Sequence, residues 1–410
     1  MAYNPTPGPV HRPWFPITAP MPRPVRKVGA PLAAIIACGV VIGALVLLFT
    51  ALNPVGAIIG LTLSSIVMTG AVFAYLWLDR WEPEPPRLLL LAFGWGAAVA
   101  IVLSLILSLF SEALLATPGV DPAGSTHSFA AVAIRAPFIE EAAKGLFLLI
   151  MMTGRRRNEL NSLTDCLVYA GLVGLGFAWL EDIMYIASAD SLAGSLLTAA
   201  MRLIMAPFAH SLFTTMTALG VYFALQRRSG ISKALCILAG YLGAVLMHGL
   251  WNGSSLVGAG TYFIVYIVWM VPIFIGMIVV AVTSRRREQQ VVATKLPGMV
   301  AAGLITPNEA TWLGSLKTRH GAVQQATAAG GRPAGKAVAA FAAAVVELAF
   351  VRDRIDRGFG DAQVYALQQE EVYSVTTARS AAPILQWLAN YRAPGSGPSP
   401  SHLPDHQPRL

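Results

Sequence analysis

Two adjacent carboxylates, Glu140 and Glu141, lie in the middle of an otherwise apolar stretch, residues 129–153. A charged side chain at membrane depth costs roughly 2.5–3.5 kcal/mol on insertion scales, so such groups are typical of functional sites. Lys144 follows one helical turn later. Other hydrophobic stretches carry further polar side chains: Glu181, His210, His248 and Asn252. This pattern predicts a polar reaction centre inside a bilayer.

The residue types indicate amide hydrolysis. A carboxylate taken out of water becomes a stronger base for water, and Lys144 would hold one member of the glutamate pair ionised. Imidazole and amide groups, here His248 and Asn252, are suitable donors to a developing oxyanion. We find no Ser or Cys nucleophile with a paired base, since Ser211 next to His210 points to a different helix face.

The same donors could instead hold a metal ion. A set of imidazole nitrogens and carboxylate oxygens suits zinc, and the candidates are His210, His248, Glu181 and Glu140. The sequence contains no His-Glu-x-x-His motif. From the residues alone, the metal-dependent and the metal-free mechanism both stay open.

Helical spacing predicts that these residues meet. Residues four apart share a helix face, which pairs Glu140 with Lys144, Phe177 with Glu181 and His248 with Asn252. At about 1.5 Å of rise per residue, Glu140 and His210 lie about 16 Å below the outer membrane surface, and Glu181 and His248 about 9–12 Å below it. Arg202 precedes His210 by two turns. Agreement in depth on four helices favours one site over four unrelated buried charges.

Each residue also has a purely structural interpretation. One glutamate could pair with Lys144 only to fix helix packing, and a single intramembrane histidine is often a hydrogen-bonding group between helices. Arg202 could extend to the outer headgroups, and Asp182 could be solvated at the end of its span. The convergence in depth argues against these interpretations taken together.

Composition places the chain among membrane proteins. Of 410 residues, 55% are hydrophobic and only 12% charged, with a mean hydropathy of +0.61, whereas soluble proteins are about a quarter charged. The net charge of +8 comes from Arg clusters beside hydrophobic spans, without any nucleic-acid-binding motif, so we expect no nucleic-acid partner. Three scattered cysteines form neither a metal motif nor a disulfide framework.

We predict an all-α, polytopic membrane protein with about eight transmembrane helices and a small cytoplasmic helical tail. The spans are placed at roughly 31–52, 55–78, 88–115, 129–153, 163–187, 199–226, 233–256 and 261–283. Lys and Arg occur in every second loop and are absent from the alternate loops, which places both termini in the cytoplasm. The bilayer expected is a bacterial plasma membrane.

Four regions follow from these patterns. Residues 1–28 form a Pro-rich disordered leader, 29–283 the membrane domain, 284–392 a cytoplasmic helical tail, and 393–410 a disordered end. In the tail, Thr306 and Glu309 have capping-box spacing, Asp361 is a second helix cap, and Gly331 lies in a helix break. The tail carries no candidate chemistry and is expected to bind an unidentified protein.

Several motifs together resemble the PrsW family of bacterial intramembrane proteases, which is related to the CAAX-protease and bacteriocin-processing group. The matching segments are residues 140–144 (EEAAK), 177–181 (FAWLE), His210, residues 248–252 (HGLWN) and residues 79–85 (DRWEPEP). The resemblance covers roughly residues 60–283, so the tail lies outside it. The CAAX-protease relatives carry His where this chain has Glu181, and their mechanism is therefore not carried over.

The resemblance implies a protease that cleaves single-span, anti-sigma-factor-like membrane proteins near the outer leaflet. It implies that Glu140 and Glu141 supply the general base and its partner, that Glu181 and His210 position water, and that His248 and Asn252 stabilise the oxyanion. Lys144, Phe177 and Arg202 would support these groups. The alternatives are a proton- or ion-coupled transporter and a non-catalytic membrane scaffold; no internal repeat of the kind found in transporters is evident.

Overall fold

The structure, a computed structural model, describes residues 30–115 and 128–394. Every regular element in these ranges is helical. The chain divides into two compact units, Arg26–Arg285 and a second unit whose described part is 286–394. The predicted leader, 1–28, lies outside the described residues, as does nearly all of the predicted C-terminal end, 393–410.

The first unit is built from long apolar helices. Its α-helices are α1 Leu32–Leu52, α2 Pro54–Leu78, α3 Pro86–Gly94, α4 Ile101–Leu115, α5 Ala136–Met151, α6 Leu163–Ala187, α7 Leu192–Ala199, α8 Ala209–Leu225, α9 Gly230–Val257, α10 Ala259–Val265 and the first half of α11 Val271–Ala301, whose residues from Arg286 belong to the second unit. Wider π-helical turns join or extend several of them: Trp95–Ala100, Ala131–Arg135, Ala200–Met205 and Tyr266–Met270. Eight helices of the described chain are long and apolar enough to cross a membrane, so the predicted fold class is confirmed.

The predicted spans differ from the helices in three places. The helix of the sixth span starts earlier, at Leu192, and is interrupted at residues 206–208, where Pro207 disfavours a helical Ala206. The last helix does not end near residue 283 but continues to Ala301, because the charged residues that follow are good helix formers.

The third difference concerns which segments are apolar enough to span. The segment from Ala131 to Met151 is helical, but its charged residues remove it from the eight membrane-spanning candidates. Leu316–Phe359 lies in the predicted cytoplasmic tail, yet by length and composition it is one of the eight membrane-spanning candidates. The cytoplasmic location of that segment therefore remains a prediction.

Helix α6 is the centre of the first unit. It is buried along most of its length and packs against α2, α3, α5 and α8. Its first turn is fixed by a capping box in which Ser162 accepts from the Asp165 backbone and Asp165 accepts from the Ser162 backbone. A central helix with side chains buried all round is what a near-continuous apolar sequence allows.

Two glycines allow α6 and the turn after α3 to cross in backbone contact. A Cβ added at Gly176 would collide with the carbonyl oxygen of Phe93, and one added at Gly96 would collide with the carbonyl oxygen of Val173. Small residues are the usual means of close helix approach in membranes. This crossing fixes the position of the C-terminal half of α6.

The second unit contains α12 Pro307–Leu313, α13 Leu316–Arg354, α14 Ala362–Ser380 and α15 Ile384–Trp387. The predicted capping box at Thr306 and Glu309 is present, and Asp361 caps α14. The predicted break lies at Gly331, whose φ of 75° kinks α13. Four apolar side chains of α13 are buried: Val338, Phe341, Val345 and Leu348.

The loop between α2 and α3 folds back on the start of α6. Glu84 is buried there, its carboxylate accepts a hydrogen bond from the Tyr169 hydroxyl (2.6 Å), and its backbone N–H donates to Asp79 (2.9 Å). Burial, reinforced by the nearby charge of Asp165, holds the pKa of Glu84 well above its usual range. The loop is therefore a tightly packed element that attaches α2 and α3 to α6.

We predict that Glu84→Gln becomes more stabilising as the pH rises. Because the pKa of Glu84 is higher in the folded protein than in the unfolded chain (about 4.3), the folded state binds more protons above that pH, and stability is lost as the pH increases. Thermal unfolding in detergent at pH 5 and pH 8 measures the difference between the variant and the wild type. Asp190→Asn, which removes an exposed carboxylate, is the control. An equal Glu84→Gln effect at both pH values would contradict the prediction.

We also predict that Gly176→Ala destabilises the first unit by about 1–3 kcal/mol, because the added methyl group separates two backbones in contact. Gly70→Ala in α2 is the matched control, since its Cβ would meet no atom within 4 Å. Thermal unfolding in detergent should show a lower midpoint only for Gly176→Ala. Equal unfolding midpoints for the two variants would contradict the prediction, because they would show that the two backbones can move apart without loss of stability.

Candidate active site

Four helices of the first unit supply the polar cluster. Helix α5 carries the glutamate pair and Lys144, and α6 carries Glu181 near its C-terminal end. His210 is in the first turn of α8 and His248 is in α9. The structure therefore brings together the residues whose predicted depths agreed, although they come from separate parts of the chain.

The ammonium group of Lys144 lies at the centre of the cluster and contacts several of its members. Its Nζ lies 2.8 Å from Glu141 Oε1 and 3.0 Å from His210 Nδ1. Glu140 Oε2 is more distant, at 3.7 Å, and the ring centroid of Phe177 lies 3.8 Å from Nζ. Lys144 and Glu141 are both fully buried. A lysine in this position is retained only with close anionic and aromatic partners.

Glu141 orients His248. Its Oε1 lies 3.0 Å from His248 Nδ1, and its Oε2 accepts a longer hydrogen bond from the Thr214 hydroxyl (3.4 Å). The His248 ring stacks on Phe213 with 4.8 Å between centroids. In the neutral imidazole, a proton on Nδ1 leaves the Nε2 lone pair free, and Nε2 faces Glu140. This carboxylate–histidine pair is the arrangement that commonly supports metal-binding histidines.

Glu140 differs from its neighbour in having a free oxygen. Its Oε2 is 3.7 Å from Lys144 Nζ and 3.8 Å from His248 Nε2. Among the described residues, this buried atom has no hydrogen-bond partner. A buried carboxylate oxygen without a partner is rare in native proteins and calls for a ligand, a proton or a water molecule.

The outer part of the site is a second ion-pair group. His210 Nε2 lies 2.7 Å from Glu181 Oε2, and the Arg202 guanidinium contacts both Glu181 and Asp182. Two of the purely structural interpretations do not hold here. Asp182 is buried rather than solvated, and Arg202 is paired with carboxylates rather than extended to the headgroups.

Asn252 makes its contact outside the cluster. Its Nδ2 donates to the Val132 carbonyl at 3.3 Å, which ties α9 to the turn that precedes α5. Ser211, as expected from its helix face, points away, and its hydroxyl pairs with Tyr75. The structure thus places Asn252 at a helix contact, and the oxyanion role that its residue type and the family resemblance suggested stays a prediction.

Sequence reasoning missed Thr214 and misread Asp182. Thr214 lies four residues after His210 on the same face of α8, so helical spacing could have found it. The pairing of Asp182 with Arg202 joins two helices, and periodicity along one helix does not show such a pairing.

The cluster is compatible with a divalent cation. Four carboxylates (Glu140, Glu141, Glu181, Asp182) face two basic side chains (Lys144, Arg202), so the formal charges sum to an excess of two negative charges in a largely buried site. One ligand atom each of Glu140, His210 and His248 lies within 4.8 Å of the others. The unpartnered Glu140 oxygen belongs to this group.

Comparisons with known proteins agree with the geometry. The family model described as PrsW family intramembrane metalloprotease matches residues 84–277, a range that contains every residue of the cluster. Protease PrsW of Geobacillus kaustophilus is 26% identical over 183 residues, which are 44% of this chain and 73% of that protein. No solved structure matches the chain.

The match confirms the family resemblance and the protease prediction over the transporter and scaffold alternatives. Residues 84–277 of this chain are similar to the PrsW family of intramembrane proteases, and the chain is a multi-pass membrane peptidase.

Proposed function

We propose that this protein hydrolyses peptide bonds of single-span membrane proteins, with a divalent metal held by Glu140, His210 and His248. The observation that carries the proposal is the buried Glu140 Oε2, which has no hydrogen-bond partner among the described residues and lies next to two imidazoles. One carboxylate oxygen and two imidazole nitrogens are a common donor set for catalytic zinc. Zinc bound there would lower the pKa of its water and polarise the scissile carbonyl.

The chain's own residues prepare the site. Lys144 compensates the charge of Glu141, and Glu141 in turn fixes the proton of His248 on Nδ1, so that Nε2 is presented toward Glu140. Thr214 holds the second oxygen of Glu141. Each group is fixed before substrate arrives, which reduces the reorganisation needed during the reaction.

A second candidate, hydrolysis without a metal, is favoured by one observation. Both nitrogens of His210 are already engaged, Nδ1 by Lys144 and Nε2 by Glu181. In this mechanism Glu140 accepts a proton from water as the water oxygen attacks the peptide carbonyl. Glu140 then passes that proton to the leaving amine. The two candidates share Glu140 and differ in whether His210 is a ligand.

The location and the substrate class belong to the same proposal. Arg155, Arg156 and Arg157 follow α5, Arg227 and Arg228 follow α8, and Arg285, Arg286 and Arg287 lie in α11 beyond its apolar part. This distribution supports cytoplasmic termini in a bacterial plasma membrane and a site in the outer half of the bilayer. The proposed substrate is therefore an anti-sigma-factor-like protein cut near the outer leaflet, and the tail is proposed to bind a cytoplasmic partner.

We predict that Glu140→Gln and His248→Ala abolish cleavage. Tagged single-span proteins from the same genome are co-expressed with each variant, and fragments are followed by blot. Glu112→Gln is the matched control, because it removes a carboxylate of α4 that pairs with Arg135 outside the cluster. A wild-type fragment that persists unchanged in both site variants would exclude this cluster as the hydrolytic centre.

We predict that the purified wild type carries about one equivalent of zinc and that a chelator stops cleavage. Elemental analysis should show loss of metal in Glu140→Gln and His248→Ala. Glu141→Gln should lower the metal affinity or activity by about 10–100-fold, because it acts through His248. Active protein without stoichiometric metal would contradict the metal proposal and favour the metal-free candidate.

A further inference from the structure

Exposure increases across the site in one direction. The side chains of Lys144 and Glu141 are sealed from solvent at 0% exposure, whereas Glu181 is 10%, Glu140 16% and Arg202 25% exposed. Beyond them, Tyr185 is 49% exposed. Arg202 and Tyr185 therefore mark the more exposed end of the cluster, whereas Lys144 and Glu141 are enclosed by protein.

Arg202 lies in an irregular part of the backbone. It belongs to the π-helical turn Ala200–Met205, and the chain leaves helical geometry at Ala206 (φ −128°, ψ 41°) before α8 begins at Ala209. His210 is the second residue of α8. The interruption thus lies between Arg202 and His210 and lets both side chains turn toward Glu181. Such wide turns are frequent at functional sites.

One guanidinium serves two adjacent carboxylates. Arg202 Nη2 contacts Glu181 Oε2, Arg202 Nε contacts Asp182 Oδ1, and the guanidinium carbon lies 4.3 Å from the ring centroid of Tyr185. The same Glu181 oxygen binds His210 Nε2 at 2.7 Å. The fork geometry of arginine suits two acceptors at once, which a single ammonium group cannot reproduce.

We propose that Arg202 is a positioning residue for the hydrolysis, a step that rests on the proposed function of the cluster. It holds Glu181 in the orientation that binds His210, at the more exposed end of the cluster. Without its charge, the neighbouring Glu181 and Asp182 repel each other in a largely buried site, and Glu181 turns away from His210. The imidazole then loses one of its two fixed partners.

The test compares Arg202→Gln and Arg202→Lys in purified, reconstituted protein, using the tagged single-span protein that the wild type cleaves in the assay above. We expect Arg202→Gln to lower kcat by about 10–100-fold, with KM changed by less than about threefold, because orientation rather than substrate binding is lost. Arg202→Lys should recover part of kcat, since it restores charge without the fork.

Arg285→Gln is the matched control. Its guanidinium also stacks on an aromatic ring, that of Trp77 at 4.2 Å, in the same unit and away from the cluster. Near wild-type kcat for Arg285→Gln with a large loss for Arg202→Gln supports the proposal. An unchanged kcat for Arg202→Gln, an equal loss for Arg285→Gln, or Arg202→Lys no better than Arg202→Gln would overturn it.

Two outcomes separate this inference from the function it rests on. If Glu140→Gln abolishes cleavage while Arg202→Gln does not, the positioning role fails and the proposed centre stands. If Glu140→Gln remains active, the proposed centre itself fails. Should Arg202→Gln not accumulate as folded protein, the comparison of Arg202→Lys with the wild type decides: a raised KM with unchanged kcat would overturn the positioning role.

Discussion

The buried ion pair between Lys144 and Glu141 is the interaction on which the site depends. Two charged groups buried away from water are stable only when they pair and when their remaining donors and acceptors are hydrogen-bonded. Breaking such a pair by removing one partner costs about 3–5 kcal/mol. Lys144 Nζ also reaches His210, and Glu141 also reaches His248. Electrostatic compensation in α5 thus fixes imidazoles that come from two other helices.

Backbone irregularity and close packing bring the remaining groups to this pair. The turn Ala131–Arg135 leads into α5, and the turn Ala200–Met205 with its interruption leads into α8. Gly176, five residues before Glu181, lets α6 touch the chain after α3 at backbone distance. Irregular backbone at membrane depth is tolerated where it is buried in protein or lines a polar cavity.

Much of the architecture could be predicted, because hydrophobic length and helix caps are local signals. The span at 163–187 matches α6, and the cap at Asp361 and the break at Gly331 appear where the sequence placed them. The placement of Glu140, Glu181, His210 and His248 in one cluster also followed from sequence, since helical rise sets the depth of each residue. Helix ends were less predictable: the change from apolar to charged residues near 284 marks the end of the hydrophobic segment, but charged helix formers extend α11 to Ala301.

The roles within the site were beyond sequence reasoning. Glu140 and Glu141 are adjacent and chemically identical, and only packing shows that Glu141 is saturated by partners while Glu140 has a free oxygen. Asn252 has the spacing of a site residue, yet its amide reaches the Val132 carbonyl on another segment. Such partners depend on which helices are neighbours, and periodicity along one helix contains no information about neighbours.

The short separation of Lys144 and Glu141 along α5 has a consequence for biogenesis. The two residues are three apart, so their ion pair closes within a single helical turn and needs no other helix. A segment whose opposite charges neutralise each other locally meets a lower barrier to leaving the translocon for lipid than one with isolated charges. Helix α5, which carries this ion pair, can therefore enter the bilayer before α6, α8 and α9 assemble around it.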